Sequence, residues 1–133
     1  MGMLVFGTLH TNSAAKTIDR LIDVFPADEQ PQARLSLADS LAAIVAQLLL
    51  PRASGDGRVA VHEILLKTPA LPNLIRESSI SMLVNLMQSG RSEGMQLLDD
   101  ALLDLVARKV VTPRDAYLKA QEKGRFEALI EKE

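Results

Sequence analysis

The 133-residue sequence contains no cysteine, which removes disulfides and thiolate metal sites and fits a reducing compartment. It also lacks an excess of charge of either sign: 15 Lys and Arg stand against 17 Asp and Glu, a net charge of −2. That balance is too even to predict a nucleic-acid surface or a strong attraction to a membrane. Long apolar runs are missing as well, and the first residues do not combine a charged front with a cleavage site, so neither a membrane span nor export is expected. What remains is an ordinary globular composition, 47% hydrophobic and 24% charged.

A further absence is chemical. A phosphate-cradling loop needs glycines for close backbone approach, a lysine for the β- and γ-phosphates and a hydroxyl for magnesium, written GxxxxGK[ST]. Gly2 and Gly7 stand at the glycine spacing, but Thr8 and Leu9 follow where Lys and Ser or Thr are required. No apolar strand ends in paired acidic residues that would hold magnesium. The chain holds no complete catalytic set and is not expected to hydrolyse ATP by itself.

The apolar run Met3-Leu4-Val5-Phe6 predicts a strand buried on both faces of a parallel sheet. Only two residues precede it, so its neighbours are expected in sequence further upstream. Thr11, Asn12 and Ser13 offer oxygens to cap a helix carrying Ile18, Leu21, Ile22 and Phe25, which Pro26 ends. A second helix is predicted from Asp28 to Gln47, striped by Leu37, Leu41, Ile44, Val45 and Leu48. Leu48–Leu50 and Arg58–Leu66 then flank the turn-rich Ser54-Gly55-Asp56-Gly57, the pattern of a hairpin that gives the sheet an antiparallel edge.

Beyond Pro69 the spacing changes to short helices: one at Leu71, Leu74 and Ile75, one at Ile80, Leu83, Val84 and Met87, and a longer one from Met95 to Val106. Thr112, Pro113 and Asp115 mark the start of a fourth, and a weak or frayed helix is expected around Phe126, Leu129 and Ile130 in the polar tail to Glu133. The expected fold is α/β, with a partial sheet and flanking helices over residues 1–67 and a small all-helical segment over 68–133.

Candidate functional side chains are few. His10 follows the first apolar run, at the edge where parallel sheets place ligands. It reads either as a sensor of nucleotide phosphate or as a loop histidine that satisfies a backbone group. His62 alternates with Val61 and Glu63 and reads as structural, because His10 is its only possible imidazole partner for a metal. Glu63 has no recognisable nucleophile or paired carboxylate near it and reads as a solvated or salt-bridged strand residue. Leu71, Leu74 and Ile75 beside Arg76 and Glu77 read either as a docking helix with an apolar anchor and charged rim, or as ordinary surface. Met82, Met87 and Met95 read as core filler.

The segment Leu4-Val5-Phe6-Gly7-Thr8-Leu9-His10-Thr11-Asn12-Ser13 and on to Arg20 resembles the histidine-box segment of type IV pilus retraction ATPases, the PilT-like class. Val24-Phe25-Pro26 continues the likeness, and Gly57–Ile64 resembles the strand that follows. Pro69–Glu77 is similar to the family's AIRNLIRE motif, and Gly94–Asp99 to its GMQTLD segment. The likeness implies the C-terminal part of a RecA-like ATPase core followed by a helical subdomain. It also implies a hexameric parent that takes ATP and Mg2+, works on a pilus platform protein at the cytoplasmic face of the inner membrane, and drives retraction and twitching.

On that likeness Thr8, His10 and Thr11 belong to the nucleotide-sensing histidine box, and Leu71, Leu74, Ile75, Arg76 and Glu77 to a retraction helix. Met3 stands where the family usually has a second histidine, and Pro72 replaces the motif's first arginine. The family's phosphate loop, acidic boxes and N-terminal PAS-like domain have no counterpart in this sequence, so ATP and Mg2+ are expected in the parent and not in this chain. The alternative is a non-catalytic interaction module that docks on a pilus or type II secretion motor.

Overall fold

Ser13 opens the first helix. Its side chain accepts a hydrogen bond from the Lys16 amide at 3.1 Å, the geometry of an N-cap. Helix α1 then runs Ala14–Asp23 and turns Ile18 and Ile22 into the core. These positions come from a computed structural model that describes residues 2–132. Met1 and Glu133, the outer limits of the two expected segments, lie outside the described residues.

The predicted strand at Met3–Phe6 is not formed: residues 2–9 have no regular structure, and these four side chains are 76–88% exposed. A strand exists only with a ladder partner. The two strands present pair antiparallel with each other, and the second also bridges to Gln96. The expected parallel pairing is therefore absent among the described residues.

The predicted helix from Asp28 to Gln47 is also corrected. Helix α2 spans Gln30–Ser40, the backbone turns extended at Leu41, and Ala43–Pro51 forms strand β1. The helical stripe required Ile44 and Val45 to share a face, yet Ile44 is buried and Val45 is 62% exposed. The β-branched pair sits comfortably on a pleated surface, and strand pairing satisfies backbone groups that a helix would otherwise have satisfied. Tertiary pairing overrides the local period.

The hairpin forms at the expected turn, but its first strand starts at Ala43 and not at Leu48, and the pair is a two-stranded sheet among the described residues, not the edge of a larger one. Strand β2, Arg58–Leu66, pairs with β1 in a register that sets Ala46 opposite Glu63 and Gln47 opposite His62. Gly55 and Gly57 in the turn adopt φ of 78° and 77°, a left-handed backbone that glycine enters without steric cost. One face of the hairpin is buried, while Val45 and Leu49 point outward.

Helices α3 (Leu71–Arg76), α4 (Leu83–Ser89), α5 (Leu98–Ala107), α6 (Pro113–Lys119) and α7 (Gly124–Glu131) complete the described chain, with single 3-10 turns at Ile80–Met82 and Arg91–Glu93. Met95 was expected inside the third of the predicted helices. It lies before α5, where Gln96 is held in the bridge to Ile64. Helix α6 starts as predicted, with the Thr112 hydroxyl accepting from the Asp115 amide at 3.2 Å. Thr112→Ala is expected to lower stability by about 1 kcal/mol, read as a shifted urea midpoint with unchanged m-value.

The side chains gather into two cores. One contains Ile18, Ile22, Ile44, Leu65, Leu71 and Ile75, and the other Leu50, Val61, Leu98, Leu102, Ala116 and Phe126. Each core draws on residues from both sides of position 67. The inward face of β2 serves both: Leu65 enters the first, Val61 the second, and Glu63 stands between them.

Candidate functional site

Glu63 is 2% exposed, and both of its carboxylate oxygens are used. Oε1 accepts from the Ala14 amide at 2.8 Å and Oε2 from the Leu98 amide at 3.0 Å. Ala14 and Leu98 are the first residues of α1 and α5, whose leading amides have no intrahelical acceptors. Helix α5 is capped by position only at Leu97, a residue with no side-chain acceptor. Glu63 supplies that acceptor from another strand, and its charge suits the positive ends of both helices. The expectation of a solvated or salt-bridged Glu63 is thereby corrected.

Two further carboxylates continue the pattern. Asp99, 5% exposed, accepts from the amides of Gln121 at 2.8 Å and Glu122 at 2.7 Å, which fixes the chain entering α7. Asp100 receives Arg91 at 2.9 Å and Arg125 at 2.8 Å. Its hydrogen bond to Arg125 is the main reason that the guanidinium pKa is raised above its ordinary value, against the opposing effect of partial burial. His62 is cross-strand bonded through Nε2 to Gln47 Oε1 at 2.9 Å, the structural role expected of it.

Thr8 and His10 lie exposed on the irregular segment before α1, whereas the Thr11 hydroxyl is hydrogen-bonded to that of Thr17. His10 and Thr11 line an open depression of about 680 Å³ together with Lys16, Arg20 and Gln47. Asp19 and Asp23 also reach it, so the lining carries two cations and two carboxylates. Thr8 is not part of it. An imidazole N–H, a lysine ammonium and an arginine guanidinium can each donate hydrogen bonds to a phosphate group. Among the described residues no cluster of His, Asp or Glu is placed to hold a metal ion.

The helix of the other candidate set is α3, and there the expected apolar anchor is corrected. Leu71 and Ile75 are buried in the chain's own core, and Leu74 is half-buried against it. What faces outward is polar. Arg76 donates to Asp39 Oδ1 at 3.0 Å and to Asn73 Oδ1 at 2.8 Å, and Glu77 is exposed.

Comparison against protein families returns no match. Among curated proteins, the twitching motility protein of Neisseria gonorrhoeae is 49% identical over 120 residues, and the type IV pilus retraction ATPase PilT of Pseudomonas aeruginosa is 50% identical over the same length. Each alignment covers 90% of this chain, and 32% and 35% of the relative. The crystal structure of the pilus retraction motor PilT with bound ADP superposes with a TM-score of 0.81 at 38% identity, over 94% of this chain and 34% of that one. The chain matches a C-terminal region of the PilT-like ATPases. It spans about a third of the length of the relatives it matches. The Legionella pneumophila ATPase DotB, at 19% identity and a TM-score of 0.65 over 82% of this chain and 29% of its own, shares the fold alone.

The residues whose roles the sequence did not reveal are Glu63, Asp99 and Asp100. A signal for Glu63 was available. It alternates with Val61 and Leu65, so it faces the same way as two apolar residues, and that face is the buried one. Asp99 carried no such signal, because its partners Gln121 and Glu122 are 22 and 23 residues away and become neighbours only when α6 folds back. No helix among the described residues is long and apolar enough to cross a membrane.

Proposed function

We propose that this chain works as the C-terminal part of a hexameric, ATP-driven motor of the pilus retraction kind. Residues 1–67 end its RecA-like core and residues 68–133 form a helical subdomain. The observation that carries this reading is the match in sequence and fold to PilT-like ATPases over nine-tenths of the chain. Exposure of Met3, Leu4, Val5, Phe6, Val45 and Leu49 supports it, because apolar surface of this kind marks a face that other protein covers.

The residues present suit one side of a nucleotide. His10, Lys16 and Arg20 on the lining offer donors to a phosphate group, with Asp19 and Asp23 balancing their charge, whereas the glycine loop and the acidic residues for Mg2+ have no counterpart in this sequence. ATP and Mg2+ are therefore bound by the parent, with this chain contributing His10, Thr8 and Thr11 as the sensing segment. The outer surface of α3, with Arg76 and Glu77 supported from behind by Leu71, Leu74 and Ile75, is the part that answers in retraction. The partner is a pilus platform protein at the cytoplasmic face of the inner membrane.

The test is a chimera that places the upstream two-thirds of the Pseudomonas aeruginosa relative before this chain. It is expected to form hexamers and to hydrolyse ATP with Mg2+. His10→Ala in the chimera is expected to slow hydrolysis about tenfold, the worth of one hydrogen bond to a charged group. A chimera that assembles without hydrolysing ATP counts against the motor. If the 133-residue chain meanwhile binds an intact PilT-like ATPase as a monomer, the interaction-module alternative takes its place.

A further inference from the structure

Among the described residues the buried polar side chains are Ser13, Thr17, Glu63 and Asp99, and all four lie on one path. Thr11, next to His10, bonds to Thr17, whose hydroxyl donates to the Ser13 carbonyl at 2.8 Å. Ser13 caps α1, and the first amide of α1 donates to Glu63. The other oxygen of Glu63 receives the first amide of α5. Asp99, one residue further along α5, holds the chain that enters α7.

We propose that Glu63 is a coupling residue, through which displacement of the His10 segment and the start of α1 is transmitted to α5. Strand β2 is already fastened to the residues before α5. Ile64 and Gln96 exchange backbone hydrogen bonds of 2.8 and 3.0 Å, and the Gln96 side chain donates to the His62 carbonyl at 2.8 Å. Helix α5 therefore follows β2. Helix α1 is joined to the same strand by Oε1 of Glu63. If the α1 terminus shifts, either β2 and α5 shift with it, or the Ala14 amide and one carboxylate oxygen lose their partners where water does not reach. Unpaired polar groups are unfavourable in a low-dielectric interior, so joint movement is the easier course. What would displace the His10 segment rests on the motor reading above, whereas the coupling itself does not.

The experiment is a double-mutant cycle read by amide hydrogen exchange in the 133-residue chain. Ser13→Ala removes the α1 cap without touching α5. It is expected to speed exchange at Lys16 and also at Leu98, the latter by about fivefold or more, the usual lower bound for coupled sites. In an E63Q background only one of the two amides keeps its acceptor, so the link is already broken and adding Ser13→Ala should leave exchange at Leu98 unchanged. Acceleration confined to residues 14–17, or an equal effect on Leu98 in both backgrounds, overturns the proposal. Should E63Q not fold, the Ser13→Ala chain decides alone, because an unchanged Leu98 there is already the negative result. In the chimera, ADP is expected to alter exchange at Ala14 and Leu98 together. Failure to bind ADP would refute the motor reading, while the coupling through Glu63 would still stand or fall by the mutant cycle.

Discussion

Glu63→Ala is expected to lower the unfolding free energy by about 3–6 kcal/mol, because it deletes two hydrogen bonds to a charged acceptor, each worth about 1.5–3 kcal/mol. Both donors are helix-terminal amides, and the acceptor that leaves is 2% exposed. Leu97 has no side-chain acceptor with which to recap α5. A domain of this size has a total stability of about 5–15 kcal/mol, so the variant loses a large fraction of it. Glu63→Gln keeps the shape and one good acceptor oxygen but turns an NH2 group toward the other amide, and about half the loss is expected. Urea unfolding followed by circular dichroism measures both. A loss under about 1 kcal/mol for Glu63→Ala would mean that water replaces the carboxylate, contrary to the burial on which the value rests.

The second large effect is Phe126→Ala, for which about 3–5 kcal/mol is expected from the lost burial and the cavity left behind. Phe126 is fully buried, in the core that holds Leu98, Leu102 and Ala116. The frayed tail expected around this residue is corrected by that burial and by the Asp99 bonds that deliver the chain into α7. Unfolding of the variant is expected to remain a single transition, with protection in α5 falling along with that in α7. If α7 alone lost protection while stability stayed within about 0.5 kcal/mol of wild type, the helix would be an appendage and not part of the core.

The elements legible in the sequence share a property: the residues that specify them are close together. Ser13 with Lys16, and Thr112 with Asp115, are three residues apart, so their caps can be read directly. The hairpin is equally local, since Gly55 and Gly57 supply the turn and the flanking runs supply the strands. Likeness to the pilus ATPases was legible for a related reason, because Leu4–Arg20, Pro69–Glu77 and Gly94–Asp99 are short contiguous motifs.

Where distant residues decide, the sequence misleads. The stretch around Ile44 and Val45 satisfies a helical period as well as a strand period, and pairing with β2 selects the strand. Met3–Phe6 has every local mark of a buried strand, yet without a ladder partner it is exposed coil. Leu71 and Ile75 mark an apolar patch in either reading of α3, and only the packing shows that the patch is used internally.

The sequence by itself therefore determined the composition class, the missing phosphate loop, the caps, the hairpin and the family likeness, all of which depend on residue type and short spacing. Tertiary structure decided the rest: that β1 is a strand, that α7 is core, and that Glu63 binds Ala14 and Leu98 from 49 and 35 residues away. The physical reason is that a buried carboxylate is tolerable only where donors converge on it, and convergence belongs to the folded chain.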